Sequence, residues 1–84
     1  MVKVKLFGTF RLESGIKELD LSGKVVADLY PQILEEIKNK KPYTTINMGN
    51  INGCTVIVND KFADKNTKLN DNDVVMLLSP VCGG

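Results

Sequence analysis

One stretch of the sequence has the periodicity of an amphipathic helix, and it constrains the fold more than any other feature. Its apolar residues recur three and four positions apart, at Val26, Leu29, Tyr30, Ile33, Leu34 and Ile37. Pro31 removes a backbone donor within this run, which predicts a kink or a late helix start there. A chain of 84 residues is long enough for one domain only, so a single domain, 1–84, is expected. Because one helix covers only one face of a sheet, this domain is expected to be of the α+β class.

Strand-like runs lie on both sides of the predicted helix. Residues 2–7 and 16–21 alternate apolar and polar side chains around the turn residues 12–15, which predicts an antiparallel hairpin. The helix is expected to end at its lysines, and the polar, glycine-bearing residues 42–53 are expected to form a long loop.

The second half of the chain adds three strand predictions. A third strand begins at Cys54 and ends in a turn, residues 61–73 hold a short strand and turns, and residues 74–79 form the last strand. This order resembles the β-grasp fold of the ubiquitin superfamily. The resemblance implies a mixed four- to five-stranded sheet with one main helix across one face and the first and last strands side by side.

Composition and charge exclude several classes of function. A net charge of +1 leaves no footprint for nucleic acid, and no apolar run approaches the roughly 18 residues that span a membrane. The chain has no histidine, so it lacks the commonest general base and metal ligand. Two cysteines are too few for a disulfide scaffold, which favours a cytoplasmic location.

Aspartates are frequent near the end of the chain, but their pattern is not that of a metal site. They lack the regular spacing and the central glycine of a calcium loop, and no metal is expected. The aspartates concerned are Asp60, Asp64, Asp71 and Asp73. We interpret them as turn and strand-end residues.

Apolar residues on both sides of the last strand predict a second hydrophobic face. Val75 and Leu77 alternate with Val74, Met76 and Leu78, and one of these sets cannot lie under the single helix. In the first strand Phe7 shares its side with two lysines. Contiguous exposed apolar surface marks an interaction site, so a partner-binding face is expected. Two alternatives stay open: the loop 42–53 covers this face, or Phe7 turns inward.

The chain closes on the sequence PVCGG, which directly follows the last predicted strand. Pro80 has no backbone donor and stops the sheet ladder there. Residues 80–84 are expected to form a flexible tail that reaches roughly 17 Å when extended. Paired glycines without Cβ atoms are suited to threading through a narrow channel of a partner.

Three segments together carry a family resemblance. VKVKLFGTFR at the start, VNDKFADKNTKLNDNDVVMLLSPV near the end and the closing GG resemble the molybdopterin synthase small subunit and the sulfur carriers of thiamin synthesis. The resemblance covers essentially the whole chain. It implies that an E1-like enzyme adenylates Gly84 with ATP and that Gly84 then becomes a thiocarboxylate, which donates sulfur.

The same resemblance assigns roles to further residues. Gly83 is required for threading, and the rest of the tail comprises Pro80, Val81 and Cys82. Arg11 falls at a position where the family typically has an arginine. Phe7, Phe62 and Leu78 match the family's apolar partner face. Together with Met76, from the alternation of the last strand, and Arg11, they are the residues expected to contact the partner.

The implied function is that of a carrier and not of an enzyme. The length and Arg11 favour the molybdopterin branch, in which the tail inserts into the large synthase subunit. The implied partners are the E1-like enzyme, that large subunit and a sulfur donor protein, and the carrier itself binds no cofactor. The alternatives are a carrier for thiamin, cysteine or tRNA thiolation, a ubiquitin-like protein modifier, and a plain β-grasp interaction module with idle glycines.

Cys82 departs from the family pattern, which has a small residue such as threonine, serine or alanine there. It is either one more small side chain, or a nucleophile that attacks the adenylated Gly84 or shuttles sulfur. Cys54 opens an apolar strand and is expected to be inert core. A disulfide between the two cysteines stays open, because no spacing argument favours it.

Overall fold

The computed structural model describes residues 1–79, so the predicted tail of residues 80–84 lies outside the described residues. The strands are β1 (Val2–Phe7), β2 (Glu18–Leu21), β3 (Thr55–Val58), β4 (Lys61–Ala63) and β5 (Val74–Leu78). The helices are α1 (Thr9–Ser14), a 3₁₀ turn (Val26–Leu29), α2 (Tyr30–Lys40) and α3 (Met48–Asn52). The five strands and the main helix α2 follow in the predicted order, which agrees with the α+β prediction.

The strands form one mixed sheet in the order β2-β1-β5-β3-β4. The first and last strands run parallel at its centre, with Val4 opposite Val75 and Phe7 opposite Leu78. All other neighbouring strands are antiparallel. The prediction of a mixed sheet with its first and last strands side by side is confirmed.

The hydrophobic core lies on the side of the sheet that α2 covers. Alternate strand residues and the apolar stripe of α2 join in one cluster, with Val4, Leu77 and Ile33 fully buried. Each such side chain contributes about 1.5–3 kcal/mol when it is removed from water. The period-two and period-3.6 patterns of the sequence therefore meet in a single core.

The start of α2 follows the prediction made from Pro31. A 3₁₀ turn over Val26–Leu29 precedes the α-helix, and the proline occupies its first turn, where a missing N–H costs nothing. The carboxylate of Asp28 accepts hydrogen bonds from the backbone N–H groups of Lys24 and Val25, at 2.9 and 3.1 Å. These bonds stabilise the ionised form and lower the pKa of Asp28.

Two short helices were not predicted. α1, of 6 residues, stands where a simple hairpin connection was expected, and β2 consequently begins at Glu18 instead of residue 16. α3, of 5 residues, lies within the predicted loop 42–53 and is capped by reciprocal bonds between Asn47 and Asn50. Both are too short to show a helical period in the sequence, and tertiary burial of Phe10 and Ile51 stabilises them instead.

Candidate functional site

The side of the sheet opposite α2 carries a continuous apolar surface. The strand register places its residues in two rows that cross the central strands, and we call this surface the open face. The first row is Phe7, Leu78 and Thr55. The second row is Lys5, Met76, Ile57 and Phe62.

The open face is accessible to solvent although all its residues except Lys5 and Thr55 are apolar. The Phe62 side chain is 85% exposed, and Phe7, Ile57, Met76 and Leu78 are half-buried. On the same strand β5, the alternating residues Val75 and Leu77 are fully buried beneath α2. The parity expectation for Met76 and Leu78 thus agrees with the structure.

The loop 42–53 does not cover the open face. Its apolar residues Ile46 and Ile51 are buried in the core cluster, and α3 packs against α2. Phe7 does not turn inward either, because its register with Leu78 continues the open-face row. Both alternatives that the sequence left open therefore disagree with the structure.

Charged residues border the open face on its β2 side. Lys3 Nζ lies 3.0 Å from Glu18 Oε2, and this ion pair raises the pKa of Lys3 and lowers that of Glu18. Asp20 stands opposite Lys3 in the antiparallel register. An apolar centre with a polar rim is the usual anatomy of a protein–protein interface.

The structure brings together four of the five predicted interface residues. Phe7, Phe62, Met76 and Leu78 share the open face, whereas the fifth, Arg11, lies exposed on α1 and outside both rows. The predicted interface omits Ile57, which sits between Met76 and Phe62 in the second row. Its alternation with Val56 and Val58 was the signal that could have identified it.

The described part of the chain ends beside the first row of the open face. β5 ends at Leu78, which is opposite Phe7, and Ser79 is the last residue that the structure describes. The hydroxyl of Ser79 accepts a hydrogen bond from the Thr9 backbone N–H at 2.8 Å. The remaining predicted site residues, Pro80, Val81, Cys82, Gly83 and Gly84, lie outside the described residues.

Cys54 is unsuited to nucleophilic chemistry. Its side chain is partly buried against the core, and burial raises the pKa of its thiol to about 11. Burial likewise raises the pKa of the neighbouring Tyr30 to about 12. A thiol with this pKa has very little reactive thiolate at neutral pH, which agrees with the expectation of an inert core residue.

Asp64 and Asp73 serve as local hydrogen-bond acceptors. Asp73 accepts from the Asn70 backbone N–H and from the Asn59 side-chain amide, each at 2.8 Å, and these bonds lower its pKa. Asp64 accepts from the backbone N–H of Asn66. Across residues 1–79 no three acidic, histidine or cysteine side chains are grouped to hold a metal ion. No helix within that range is long and apolar enough to cross a membrane.

Comparisons with solved structures agree with the fold and the predicted resemblance. In the complex of subunits 1 and 2 of the molybdopterin-converting factor from Helicobacter pylori 26695, the matching chain is 31% identical. That match covers 99% of this chain and 97% of the other, with a TM-score of 0.59. The small archaeal modifier protein 1 from Methanosarcina acetivorans is 30% identical, over 99% of this chain and 95% of that chain, with a TM-score of 0.66.

A third structure extends the similarity in shape. The small archaeal modifier protein 1 of H. volcanii has a TM-score of 0.68 at 19% identity, over 95% of this chain and 97% of that chain, which shows the common fold alone. A comparison with curated proteins gives no match. The ThiS family profile matches residues 4–84. The chain therefore belongs to the ThiS family, and its ubiquitin-like β-grasp fold is that of its structural neighbours.

Proposed function

We propose that this chain is a sulfur carrier that delivers a thiocarboxylate on Gly84 to a partner docked on the open face. The observation that carries the proposal is the continuity between the open face and the start of the tail. Leu78 belongs to the first row of that face, and residue 80 is only two positions further along the chain. A partner seated on Phe7 and Leu78 therefore stands beside the point where the tail departs.

The reach of the tail sets the geometry of delivery. Residues 80–84 span roughly 17 Å when extended, so the receiving pocket lies within that distance of the first row. The two glycines have no Cβ, so the residues that line the partner's pocket can approach the backbone of the tail closely. This arrangement separates recognition, which the open face provides, from reaction, which takes place at Gly84.

The chemistry requires activation of a stable carboxylate. An E1-like enzyme transfers the adenylyl group of ATP to the Gly84 carboxylate and releases pyrophosphate. A sulfide nucleophile then displaces AMP and leaves the thiocarboxylate. The carrier needs no catalytic group or cofactor of its own for these steps, which is compatible with a chain that has no histidine.

We further propose that the sulfur enters molybdopterin synthesis, with this chain as the small synthase subunit. Support comes from the 31% identity to a chain in the H. pylori complex of molybdopterin-converting factor subunits 1 and 2. By this proposal the large subunit binds the open face and accepts the tail. The other proposed partners are the E1-like enzyme and a sulfur donor protein.

A protein modifier is the second candidate function. The 30% identity to the small archaeal modifier protein 1 of M. acetivorans favours it almost equally. In that case the activated Gly84 forms an isopeptide bond with lysines of other proteins. The two candidates share the activation step and differ in the nucleophile that follows it.

Intact-mass measurement tests the proposal. The protein is incubated with ATP, sulfide and the E1-like enzyme of its host, and a form lacking Gly83 and Gly84 serves as the control. The expected result is a mass gain equal to one oxygen-to-sulfur exchange that maps to Gly84 and is absent from the control. An unchanged mass, with that enzyme active on another carrier, contradicts the carrier proposal. A Gly-Gly remnant on lysines of other proteins, without thiocarboxylate, supports the modifier instead.

A further inference from the structure

An unusual hydrogen bond ties the end of β5 to the start of α1. The Thr9 N–H is the first in α1 and has no partner within the helix, and Gly8 before it has no side chain to cap it. Ser79 supplies the missing acceptor with its hydroxyl oxygen, at 2.8 Å and 70 residues away in sequence. This one bond therefore holds the last described residue against the body of the domain.

The absence of a side chain at Gly8 leaves space for the Ser79 hydroxyl. Its backbone has φ 64° and ψ −138°, a conformation that residues with a Cβ rarely adopt. A Cβ placed at Gly8 would lie 2.3 Å from Ser79 Oγ, which no side chain tolerates without displacing the serine. The close approach and the backbone conformation both require glycine, and both serve the contact with Ser79.

We propose that Ser79 is a positioning residue that fixes the point from which residues 80–84 leave the domain. We call the contact between Ser79, Gly8 and Thr9 the Ser79 clamp. Its role in delivery rests on the proposed carrier function, because it acts by placing Gly84. Without the hydroxyl, the nearest described anchor before residue 80 is Leu78 in β5, which lies one residue, or about 3.5 Å of chain, further back.

The clamp is expected to affect delivery more than docking. The open-face side chains are untouched by removal of the Ser79 hydroxyl, so affinity for a docked partner stays the same. A reacting group that is misplaced by about 1 Å loses rate strongly. Ser79→Ala is therefore expected to lower the rate of sulfur transfer by about 3–10-fold at unchanged partner affinity.

A measurement without any partner tests the clamp itself. A nitroxide is attached to Cys82 in a Cys54→Ala background, and its relaxation enhancement is read on the backbone amides of the domain. Ser79→Ala is compared with Ser79→Thr, which keeps the hydroxyl, and with Ser22→Ala, which removes an exposed serine hydroxyl elsewhere. The clamp predicts a changed enhancement pattern for Ser79→Ala alone. The same pattern in all four proteins overturns it.

A double-mutant cycle of Gly8 and Ser79 provides a second test. It remains informative even if the single variants are partly destabilised, because it compares Tm shifts between two backgrounds. Gly8→Ala introduces both backbone strain and a collision with Ser79 Oγ. In a Ser79→Ala background the collision is gone and only the strain remains. Gly8→Ala is thus expected to lower Tm more in the presence of Ser79 than in its absence. Equal shifts in both backgrounds overturn the clamp.

The transfer assay separates failure of the clamp from failure of the proposed function. Thiocarboxylate formation on the unsubstituted protein, with slower transfer for Ser79→Ala and normal transfer for Ser79→Thr and Ser22→Ala, supports both. Equal transfer rates for all four proteins overturn the positioning role and leave the carrier function standing. If the unsubstituted protein is never converted, the carrier function fails, and the nitroxide experiment alone decides whether the clamp exists.

Discussion

The two faces of the sheet are built by the same strands, yet they differ in what their apolar residues do. On β5, Leu77 is fully buried beneath α2, and its neighbour Leu78 is half-buried on the open face. The first side chain has all its partners within the chain, whereas the second lacks a cover in the part that the structure describes. One alternating strand can therefore stabilise the fold with one set of residues and present a docking surface with the other.

The largest expected effect on stability comes from substituting Leu77, and its neighbour Leu78 provides the comparison. Leu77→Ala removes a fully buried side chain and leaves a cavity, so it is expected to lower the free energy of unfolding by about 2–5 kcal/mol. Leu78→Ala, one residue along the same strand, is expected to cost less than about 1.5 kcal/mol, because its side chain is half-buried. Chemical denaturation gives the free energy of unfolding of both variants. Equal decreases in the two variants would contradict the division between the two faces of the sheet.

Partner binding, unlike stability, is expected to depend on the exposed residues of the open face. Phe62→Ala should weaken affinity for the proposed partner, the large molybdopterin synthase subunit, by about tenfold or more, as expected for an aromatic residue at an interface. Tyr43→Ala is the matched control, because Tyr43 is 98% exposed and lies outside the open face. Calorimetric titration gives both dissociation constants. A larger loss of affinity for Tyr43→Ala than for Phe62→Ala would show that the partner docks outside the open face.

A smaller effect is expected from the polar network at the edge of the open face. Asp73 accepts bonds from Asn59 and Asn70, which hold the turn before β4 against the start of β5. Its pKa is lowered below the ordinary 3.8, so its stabilising contribution is present above that pH and is lost as pH falls through the folded-state value. Asp73→Asn is therefore expected to reduce stability at pH 7 and to flatten its decline in acid.

Asp60→Asn is the control for this acid experiment. Asp60 follows Asn59 in the same turn, at φ 69°, a conformation that asparagine also tolerates, and its side chain is not part of the Asp73 network. Stability is measured by denaturation between pH 7 and pH 2. An equally steep acid decline in Asp73→Asn and in the unsubstituted protein would show that the network does not stabilise this edge.

A further effect is expected at alkaline pH, from Cys54, which is packed against the core. Burial raises the pKa of Cys54 from 9.0 to about 11, so the folded state favours the neutral thiol. The unfolded chain ionises first as pH rises, and the stabilising contribution of Cys54 is lost between pH 9.0 and about 11. Cys54→Ala should flatten the fall in stability over that range. A decline unchanged by the substitution would mean that this thiol does not contribute.

The features that could be predicted from the sequence are those with a regular period. The alternation around Met76 and Leu78 identified the open face, and Pro31 in a helical pattern indicated the late start of α2. The short helices α1 and α3 could not be predicted, since each spans less than two full helical turns and depends on tertiary burial.

The Ser79 clamp was beyond the reach of the sequence for a different reason. It joins Thr9 to a residue 70 positions away, and a lone serine before a proline carries no signal of such a contact. Arg11 shows the reverse case, in which a family position predicted an interface residue that lies on α1 and outside the open face. Its role in partner binding stays a prediction.

A methyl NMR titration with the proposed partner, the large molybdopterin synthase subunit, tests directly whether that partner docks on the open face. We expect the methyl signals of Ile57, Met76 and Leu78 on the open face to shift. Those of the core residue Leu77 and of Leu12, which is 85% exposed on α1, should stay in place. Shifts confined to Leu12 or other residues away from the open face would contradict the account, because the partner would then bind a different surface.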